Sequence, residues 1–305
     1  MFVIAAPGQG SQKPGFLSPW LESADARDQL GAWSDLIRVD LITHGTTSDE
    51  DTIKDTAIAQ PLIVSSSILT GRALLAALPH QDSLRCAGHS VGEFAAAALA
   101  GVISDEDAMS LVALRGAAMA TASARVETGM SAVIGADISE LEALLPQHGL
   151  FAANFNGAGQ VVIAGEKKAL LDFAEKAPAG SRVIPLSVAG AFHTTYMSSA
   201  VQSLADAATS IEPHDPHLPL YTNRDGSLVE SGASALSYMV EQVERPVRWD
   251  SCMASFEKDG IEGMMELAPA GALVGLAKRA LKGVPTVAIN TPEDIELAAA
   301  MVGGS

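Results

Sequence analysis

The chain has 305 residues, of which 48% are hydrophobic and 18% are charged, a balance typical of a globular protein with a substantial core. A formal net charge of −17 argues against nucleic acid as a partner, because phosphates are bound through basic surfaces. The two cysteines, Cys86 and Cys252, lie in no CxxC motif and have no histidine at metal-ligand spacing, so neither a disulfide framework nor a metal site is predicted.

The first 124 residues alternate short apolar runs with long periodic segments, a pattern typical of an α/β domain. Residues 2–6 and 84–88 are predicted strands, and residues 59–78 and 104–123 are predicted helices. The apolar run at 2–6 is too short for a signal sequence and lacks a basic flank, so we expect a buried strand there.

No stretch of the chain approaches the roughly 20 consecutive apolar residues that a membrane helix needs. The Ala-rich segments are interrupted by charged residues and glycines. We therefore expect a cytoplasmic protein that has no membrane contact.

A second pattern begins near residue 130 and predicts the element order β-α-β-β-α-β, which is that of a ferredoxin-like unit. The order predicts a small inserted domain at residues 125–190. Its predicted elements are a strand at 130–135, a helix at 139–145, strands at 151–156 and 161–165, a helix at 166–176 and a strand at 182–186.

The first pattern resumes after the insert, so the large α/β domain is predicted to be discontinuous, comprising residues 1–124 and 191–305. Its later elements are a helix from about Thr195, a strand near 218–222, a helix near 233–243, a strand near 263–267 and a helix from Gly271.

The strongest local concentration of positive charge is formed by Lys278, Arg279 and Lys282. Steering of a charged partner depends on the local field, so this cluster can attract an acidic partner to an acidic protein. The pattern favours the alternative, in which these cations complement the dipole at a helix end and stay solvated.

The most informative motif is Gly88-His89-Ser90-Val91-Gly92, which lies between a predicted strand and a helical run. This is the strand-turn-helix context of a nucleophile elbow, in which glycines allow a sharp turn. Ser90 is therefore a predicted nucleophile at the amino end of a helix, where free N–H groups favour an oxyanion. The alternative is a tight turn that carries an inactive serine.

A glycine-rich loop at residues 7–12, PGQGSQ, follows the first predicted strand. Acyl transfer needs two N–H donors aimed at the developing oxyanion, and losing one raises the barrier by on the order of 3 kcal/mol. The backbone amides of Gln9 and Val91 are the candidate donors. The alternative for the loop is a connector that binds no ligand.

A serine nucleophile needs a base, and a histidine of near-neutral pKa is an efficient one. His193 lies in a turn ahead of a predicted helix and is the predicted base, the alternative being a structural turn residue. His89 is expected to point away from Ser90, and His214 and His217 lie in a Pro-rich segment typical of a solvated loop.

Arg115 lies inside the apolar helical run MSLVALRGAAMA, where an unpaired guanidinium is costly to bury. It therefore needs an anion, and a substrate carboxylate held bidentately is one candidate. Met119 is one helical turn further on and is expected on the same face. The alternative is an arginine that reaches solvent or pairs with a protein carboxylate.

Six motifs, spread in order over nearly the whole chain, resemble those of malonyl-CoA:acyl carrier protein transacylases. They are PGQGSQ at 7–12, GHSVGEF at 88–94, RGAAM at 115–119, NFNGAGQVVIAG at 154–165, GAFH at 190–193 and RPVRW at 245–249. The resemblance implies an α/β-hydrolase-like large domain with an inserted ferredoxin-like small domain, and an active site in the cleft between them.

The same resemblance implies a role for individual residues. Ser90 becomes the nucleophile, His193 the base, Arg115 the anchor for the free carboxylate of the substrate, and Gln9 a donor to the oxyanion. Gln242 matches the position whose backbone carbonyl orients the histidine. The implied partners are malonyl-CoA and an acyl carrier protein, and no cofactor is implied beyond the coenzyme A and phosphopantetheine thioesters themselves.

Substrate choice is expected to depend on Phe192, because the family associates a bulky residue beside the histidine with malonyl units and a smaller serine with methylmalonyl units. One methyl group in a pocket is worth about 1–3 kcal/mol of discrimination. Asn154, Asn156 and Asn223 are further candidates to line the cleft, although asparagines in turns more often make local hydrogen bonds.

Two rival functions remain open from the sequence. A serine thioesterase or esterase is disfavoured by Arg115 and by the lack of a convincingly placed triad acid between Ser90 and His193 in chain order. The acids available there, such as Asp137 and Asp172, fall in the predicted inserted domain. A docking module without chemistry is disfavoured by the intact motifs. The predicted mechanism is a ping-pong transfer through a malonyl-serine intermediate.

Overall fold

The apolar run Phe2–Ala6 forms strand β1, and all five of its residues are buried. This computed structural model describes residues 1–304. After β1 and a 3-10 helix at Ser18–Glu22, the first region contains α1 (Ala24–Ile37), α2 (Leu41–Thr46), α3 (Glu50–Lys54), α4 (Thr56–Ala77), β2 (Leu84–Gly88), α5 (Gly92–Leu99) and α6 (Asp105–Ser123).

The middle region has the predicted element order β-α-β-β-α-β. Its elements are β3 (Thr128–Ile134), α7 (Ile138–Leu144), β4 (Phe151–Gly157), β5 (Gln160–Glu166), α8 (Lys167–Ala174) and β6 (Arg182–Pro185). The four strands form an antiparallel sheet in the order β6-β3-β5-β4. Its apolar residues make a separate core that includes Val133, Leu141, Ile163 and Phe173.

The last region begins with a 3-10 turn at Thr195–Met197. It continues with α9 (Ser198–Ala208), α10 (Gly232–Glu241), a 3-10 turn at Gln242–Glu244, β7 (Val247–Arg248), α11 (Trp249–Lys258), β8 (Gly263–Glu266), α12 (Ala272–Ala280), β9 (Thr286–Ala288) and α13 (Glu293–Gly303). The fold is therefore α/β, as the sequence predicts.

A parallel sheet in the order β2-β1-β8-β9 forms the centre of the large α/β region. Phe2 is in register with Leu84 on one side and with Gly263 on the other. Because the strands are parallel, their carboxyl ends lie at one edge, where open α/β sheets bind ligands. The loops that leave β1, β2 and β8 therefore start from neighbouring points.

The small sheet has a fifth strand, at its edge, that the sequence does not predict. Strand β7 pairs in parallel with β4, with Asn154 opposite Val247, and so adds a chain segment from the last region to the small sheet. It is only two residues long and follows Pro246, which explains why no periodic pattern marks it.

One predicted strand is wrong. The segment at 218–222 makes only isolated bridges, Cys86 with Leu220 and Tyr221 with Leu228. The Cys86 N–H donates to the Pro219 carbonyl at 2.8 Å, and the Tyr221 N–H donates to the Cys86 carbonyl at 2.9 Å. Pro219 has no N–H, so the ladder cannot continue into a strand.

Helix α4 is the one helix among residues 1–304 that is long and apolar enough to cross a membrane. In the protein, 78% of that apolar stretch is buried. Its Gly71 lies so close to α5 that an added Cβ would be 2.4 Å from Leu99 Cδ1. The helix therefore packs as a core helix of the α/β fold, and its apolar composition follows from burial on several sides.

Candidate active site

The turn between β2 and α5 presents Ser90 in a strained backbone conformation. Ser90 has φ of 53°, in the left-handed region that side chains other than glycine rarely adopt. An added Cβ would lie 2.1 Å from the Gly92 carbonyl carbon at Gly88, and 2.3 Å from the Ala6 oxygen at Gly92. The two glycines are thus required by close backbone approach, and the strand-turn-helix elbow that the sequence predicts is present.

The loop after β1 packs against this elbow. An added Cβ at Gly8 would lie 2.8 Å from His89 Nδ1 and 2.9 Å from the His89 carbonyl oxygen. The Gln9 side chain donates to Thr56 Oγ1 at 3.3 Å. No acceptor among the described residues takes the backbone N–H of Gln9 or of Val91. Both amides are therefore free to donate to a bound group.

Ser90 and His193 are in direct contact. Ser90 Oγ is 2.7 Å from His193 Nε2, and His193 Nδ1 is 2.8 Å from the backbone oxygen of Gln242. A carbonyl only accepts, so the Nδ1 atom carries the proton and Nε2 is left to accept the serine hydroxyl. His193 is also in the left-handed region, with φ of 61°. The structure thus brings together the predicted nucleophile, base and orienting carbonyl.

The imidazole is held in its neutral form. Burial, followed by the positive charge of Arg115, lowers the pKa of His193 from its usual 6.5 to about 3. The hydrogen bond to the Gln242 carbonyl opposes this shift. A neutral histidine hydrogen-bonded to a serine can accept its proton, as a general base must.

Arg115 extends from α6 into the interior and is 1% exposed. It donates from Nη1 to Gln60 Oε1 at 2.7 Å and from Nη2 to Gln242 Oε1 at 3.0 Å. Its Nε–H is buried without a partner. Burial lowers the pKa of Arg115 to about 10, with Glu93 opposing, so the guanidinium stays charged at neutral pH. Two neutral amides and one free donor are what a site for an incoming anion requires.

Met119 lies one turn beyond Arg115, as predicted, and is buried. Its sulfur accepts a hydrogen bond of 3.5 Å from Gln60 Nε2. Gln60 therefore bridges the arginine and the methionine. Sequence reasoning missed Gln60 because it lies 55 residues before Arg115 and no local motif marks it.

A buried acid that sequence reasoning also missed lies three residues after the nucleophile Ser90. Glu93, on α5, is 4% exposed. Its carboxylate accepts the Asn223 backbone N–H at 2.7 Å and a hydrogen bond from Gln242 Nε2. Burial raises the pKa of Glu93 to about 7 against these hydrogen bonds. It does not contact His193, whose Nδ1 is occupied by a carbonyl.

Asn223 does not line the cleft, which corrects the expectation that it contacts substrate. It is 0% exposed and lies beneath the elbow. Its Oδ1 accepts the Ser90 N–H at 2.7 Å, and its Nδ2 donates to the Gly88 carbonyl at 2.7 Å. The sequence carried no signal of the direction in which the Asn223 side chain points.

Asn156 lies on β4 at the cleft and links the small sheet to the turn after β2. Its Oδ1 is 2.9 Å from His89 Nε2, and the His89 ring also packs edge-on against Trp249, with ring centroids 5.7 Å apart. His89 therefore points away from Ser90, as predicted. Burial lowers the pKa of His89, which favours a neutral imidazole at this junction.

A cleft of about 560 Å³ opens over the Ser90–His193 pair. Its walls come from the loop after β1, from α3, from α12 and from the small sheet. The predicted site residues that line it are Gln9, Ser90, Asn154, Asn156, Phe192 and His193. Arg279, from the basic cluster, also lines the cleft.

Arg115, Met119, Val91 and Gln242 do not line this cleft and are buried beside it. Among residues 1–304, no group of three or more histidine, cysteine or acidic side chains is arranged to hold a metal ion.

This arrangement of a strained serine, a neutral histidine and free backbone donors defines an acyl-transfer site, and comparison with known proteins agrees. Residues 2–299 match the family described as acyl transferase domain. The chain is 48% identical over 298 residues to the malonyl CoA-acyl carrier protein transacylase of Mycobacterium tuberculosis, covering 97% of this chain and 98% of that one. The chain belongs to the family of malonyl CoA-acyl carrier protein transacylases.

Solved structures are similar over the same extent. The crystal structure of MCAT from Mycobacterium tuberculosis superimposes with a TM-score of 0.95 at 48% identity, covering 98% of this chain and 99% of that one. A complex of a type II PKS acyl-carrier protein with its malonyl-transacylase matches with a TM-score of 0.92 at 29% identity, covering 100% and 99% of the two chains.

Proposed function

We propose that this protein transfers a malonyl group from malonyl-CoA to the phosphopantetheine thiol of an acyl carrier protein, and so supplies units for fatty acid or polyketide synthesis. The observation that carries the proposal is the hydrogen-bonded Ser90–His193 pair beside a buried, carboxylate-free Arg115. Family membership over nearly the whole chain supports the same function.

The first half-reaction follows from the geometry of the pair. Ser90 Oγ attacks the thioester carbon while its proton passes to His193 Nε2, 2.7 Å away. The amides of Gln9 and Val91 stabilise the oxyanion of the tetrahedral intermediate. When the intermediate collapses, the C–S bond breaks, and the coenzyme A thiolate takes the proton from the imidazolium.

The second half-reaction reverses these roles. The carrier-protein thiol gives its proton to neutral His193 and attacks the malonyl ester, and Ser90 leaves with the proton returned to its oxygen. The Gln242 carbonyl stabilises the transient imidazolium through Nδ1. Neither step requires a metal or redox cofactor, because no oxidation change occurs and the histidine carries the proton.

Selectivity for a malonyl unit depends on two residues in this proposal. The free carboxylate of the acyl group pairs with Arg115, whose buried Nε–H has no partner. Phe192 lines the cleft next to His193 and is 5% exposed, so it crowds an α-methyl substituent. The methyl group alone is worth about 1–3 kcal/mol, so the preference over methylmalonyl is expected to be partial.

The proposal also covers the domain organisation of the protein and its location in the cell. We propose an α/β-hydrolase-like domain of residues 1–124 and 191–305 with a ferredoxin-like domain of residues 125–190, and a cytoplasmic location. The strand order β6-β3-β5-β4 and the parallel sheet support the two-domain description. In this description the β4–β7 pairing connects the small domain to a segment of the large one.

Intact-protein mass spectrometry after brief incubation with malonyl-CoA tests the proposal. We expect a malonyl-sized mass gain on the wild type, none on Ser90→Ala, and its loss when a phosphopantetheinylated carrier protein is added. Release of free malonate without an adduct or transfer would instead identify a hydrolase. Neither adduct nor release would leave only a binding module.

A further inference from the structure

Glu93 is a buried carboxylate that the proposed reaction does not use. It belongs to no ion pair among residues 1–304. Leaving a carboxylate 4% exposed is costly unless hydrogen bonds replace its water. Its two oxygens accept from two different segments of the chain, Asn223 and Gln242. Each of these partners is also hydrogen-bonded to a residue of the catalytic machinery.

The first connection reaches the nucleophile. Glu93 Oε1 accepts the backbone N–H of Asn223 at 2.7 Å. The Asn223 side chain then accepts the Ser90 N–H and donates to the Gly88 carbonyl, both at 2.7 Å. These bonds hold the strained backbone of the elbow at both sides of its turn. Glu93 therefore fixes the segment that holds Ser90.

The second connection reaches the histidine and the arginine through Gln242. Its Nε2 donates to Glu93 and to the Ser90 carbonyl, the latter at 3.1 Å. Its Oε1 accepts from Arg115 at 3.0 Å, and its backbone oxygen orients His193. One side chain is thus tied to the acid, the arginine and the nucleophile, while its backbone holds the base.

When Glu93 is ionised, above its raised pKa of about 7, the polarity of this connection allows one arrangement only. An ionised carboxylate accepts and does not donate, whereas a guanidinium donates and does not accept. The Gln242 amide has one end of each kind, so Nε2 must face Glu93 and Oε1 must face Arg115. A neutral amide at position 93 would offer its own donors, and the Gln242 amide could then turn its oxygen away from Arg115.

We infer that Glu93 is a positioning residue, which holds the Ser90 elbow through Asn223 and, through Gln242, orients both the His193 base and the Arg115 anchor; this inference rests on the proposed function. The carboxylate acts through hydrogen bonds to these neighbours and touches no reacting atom. Misplacing a reacting group by about 1 Å can lower a rate about 100-fold.

The test compares two buried glutamates. Glu93→Gln keeps the shape and removes the acceptor-only character. Glu266→Gln is a matched control, because Glu266 is likewise buried, at 0% exposure, but accepts only backbone N–H groups. The measurement is the second-order rate at which phenylmethylsulfonyl fluoride sulfonylates Ser90. That reaction needs Ser90 and His193 but neither malonyl-CoA nor a carrier.

We expect Glu93→Gln to lower the sulfonylation rate about 100-fold, while Glu266→Gln stays within about three-fold of the wild type. Equal rates for the two variants would overturn the inference. Malonylation of the wild type is measured in parallel, so that a wild type that is sulfonylated but never malonylated refutes the proposed function and leaves the positioning role standing.

A second variant covers the case in which Glu93→Gln does not fold. Glu93→Gln/Gln242→Glu exchanges donor and acceptor, so that the carboxylate at position 242 accepts both from the new amide and from Arg115. We expect this protein to be sulfonylated about 10-fold faster than Glu93→Gln, or to fold where the single variant does not. The recovery is partial because the bond to the Ser90 carbonyl is lost. No gain in rate or folding would contradict the orienting role of Glu93.

Discussion

A buried glutamate lies near the carboxyl end of each of β2 and β8, but the two carboxylates have different roles. Glu93 lies five residues after the end of β2, and Glu266 is the last residue of β8. Burial raises the pKa of both carboxyls. Glu266 accepts the N–H groups of Gly271, Leu273 and Val274 at 2.8 to 2.9 Å, whereas Glu93 is bound by a network that leads to side chains of the site.

The difference lies in what the partners can do. The free N–H groups at the start of α12 are fixed by the helix, and they favour an anion by geometry and by the helix dipole. The Gln242 amide can rotate, so its orientation depends on the charge beside it. A carboxylate bound by backbone groups stabilises a fold, and one bound by rotatable amides also sets a reactive geometry.

The largest contrast between the two strand ends is expected for glycine substitutions. In Gly88→Ala the new Cβ would lie 2.1 Å from the Gly92 carbonyl carbon, which is backbone that cannot move aside. We expect the free energy of unfolding to fall by more than about 4 kcal/mol. Gly271→Ala meets no atom within 4 Å and carries only the strain of φ at 142°, about 1–3 kcal/mol. Urea unfolding of both variants measures the difference, and equal losses would contradict it.

The next prediction tests whether the hydrogen-bond network around Glu93, which includes Arg115, also binds the substrate. Arg115→Ala is expected to lower malonyl transfer at least about 100-fold more than acetyl transfer, because only malonyl has a carboxylate to leave unpaired. Arg72→Ala, which removes an exposed pair with Asp105, is the control and should change neither rate. Equal losses of malonyl transfer and acetyl transfer in Arg115→Ala would contradict the role of Arg115 as the carboxylate anchor.

A substitution at the end of β8 is expected to change the free energy of unfolding more than the rate of Ser90 sulfonylation. Glu266→Gln replaces one charged acceptor of three backbone N–H groups with an amide, and we expect unfolding free energy to fall by about 2 kcal/mol. The measurement is urea unfolding at pH 7.5, with Ser90 sulfonylation as the functional control. A stable variant with slowed sulfonylation would mean that β8 also positions the site.

The smallest effect concerns pH. The pKa of Glu93 is raised from 4.5 to about 7, so the folded state binds more protons than the unfolded state between these values. Its contribution to stability is therefore complete below pH 4.5 and is lost as pH rises through about 7. Arg115 on α6 and Cys252 on α11 are the other titratable or charged groups that interact with it.

We expect the free energy of unfolding of the wild type, relative to Glu93→Gln, to fall by on the order of 1 kcal/mol between pH 5 and pH 8. Paired urea titrations at the two pH values measure it. His193 titrates in both proteins, so its contribution cancels in the difference. A constant difference across this range would mean that Glu93 does not change protonation.

The elbow and the small sheet could be predicted because their signals are local. The glycines around Ser90 and the alternation in residues 130–186 each act within a few residues of the structure that they specify. The two-residue strand β7 and the direction of Asn223 depend on contacts with distant segments, so no local pattern marks them.

The same distinction applies within the site. An arginine in an apolar helix requires a partner, so Arg115 could be identified, but its amide partners Gln60 and Gln242 lie 55 and 127 residues away. Glu93 lies inside a motif that was identified, yet its sequence context fits an ordinary helix start. Its role follows only from the hydrogen bonds that the fold creates.

Four residues other than glycine among residues 1–304 adopt positive φ, and two of them are the pair that shares the catalytic proton, Ser90 and His193. Such backbone costs of order 1–3 kcal/mol per residue and persists because the surroundings hold it. A glycine at position 90 would adopt the same angles without that cost. Selection for thermal stability alone would therefore favour loss of the nucleophile, and retention of Ser90 is a demand that activity places on the fold.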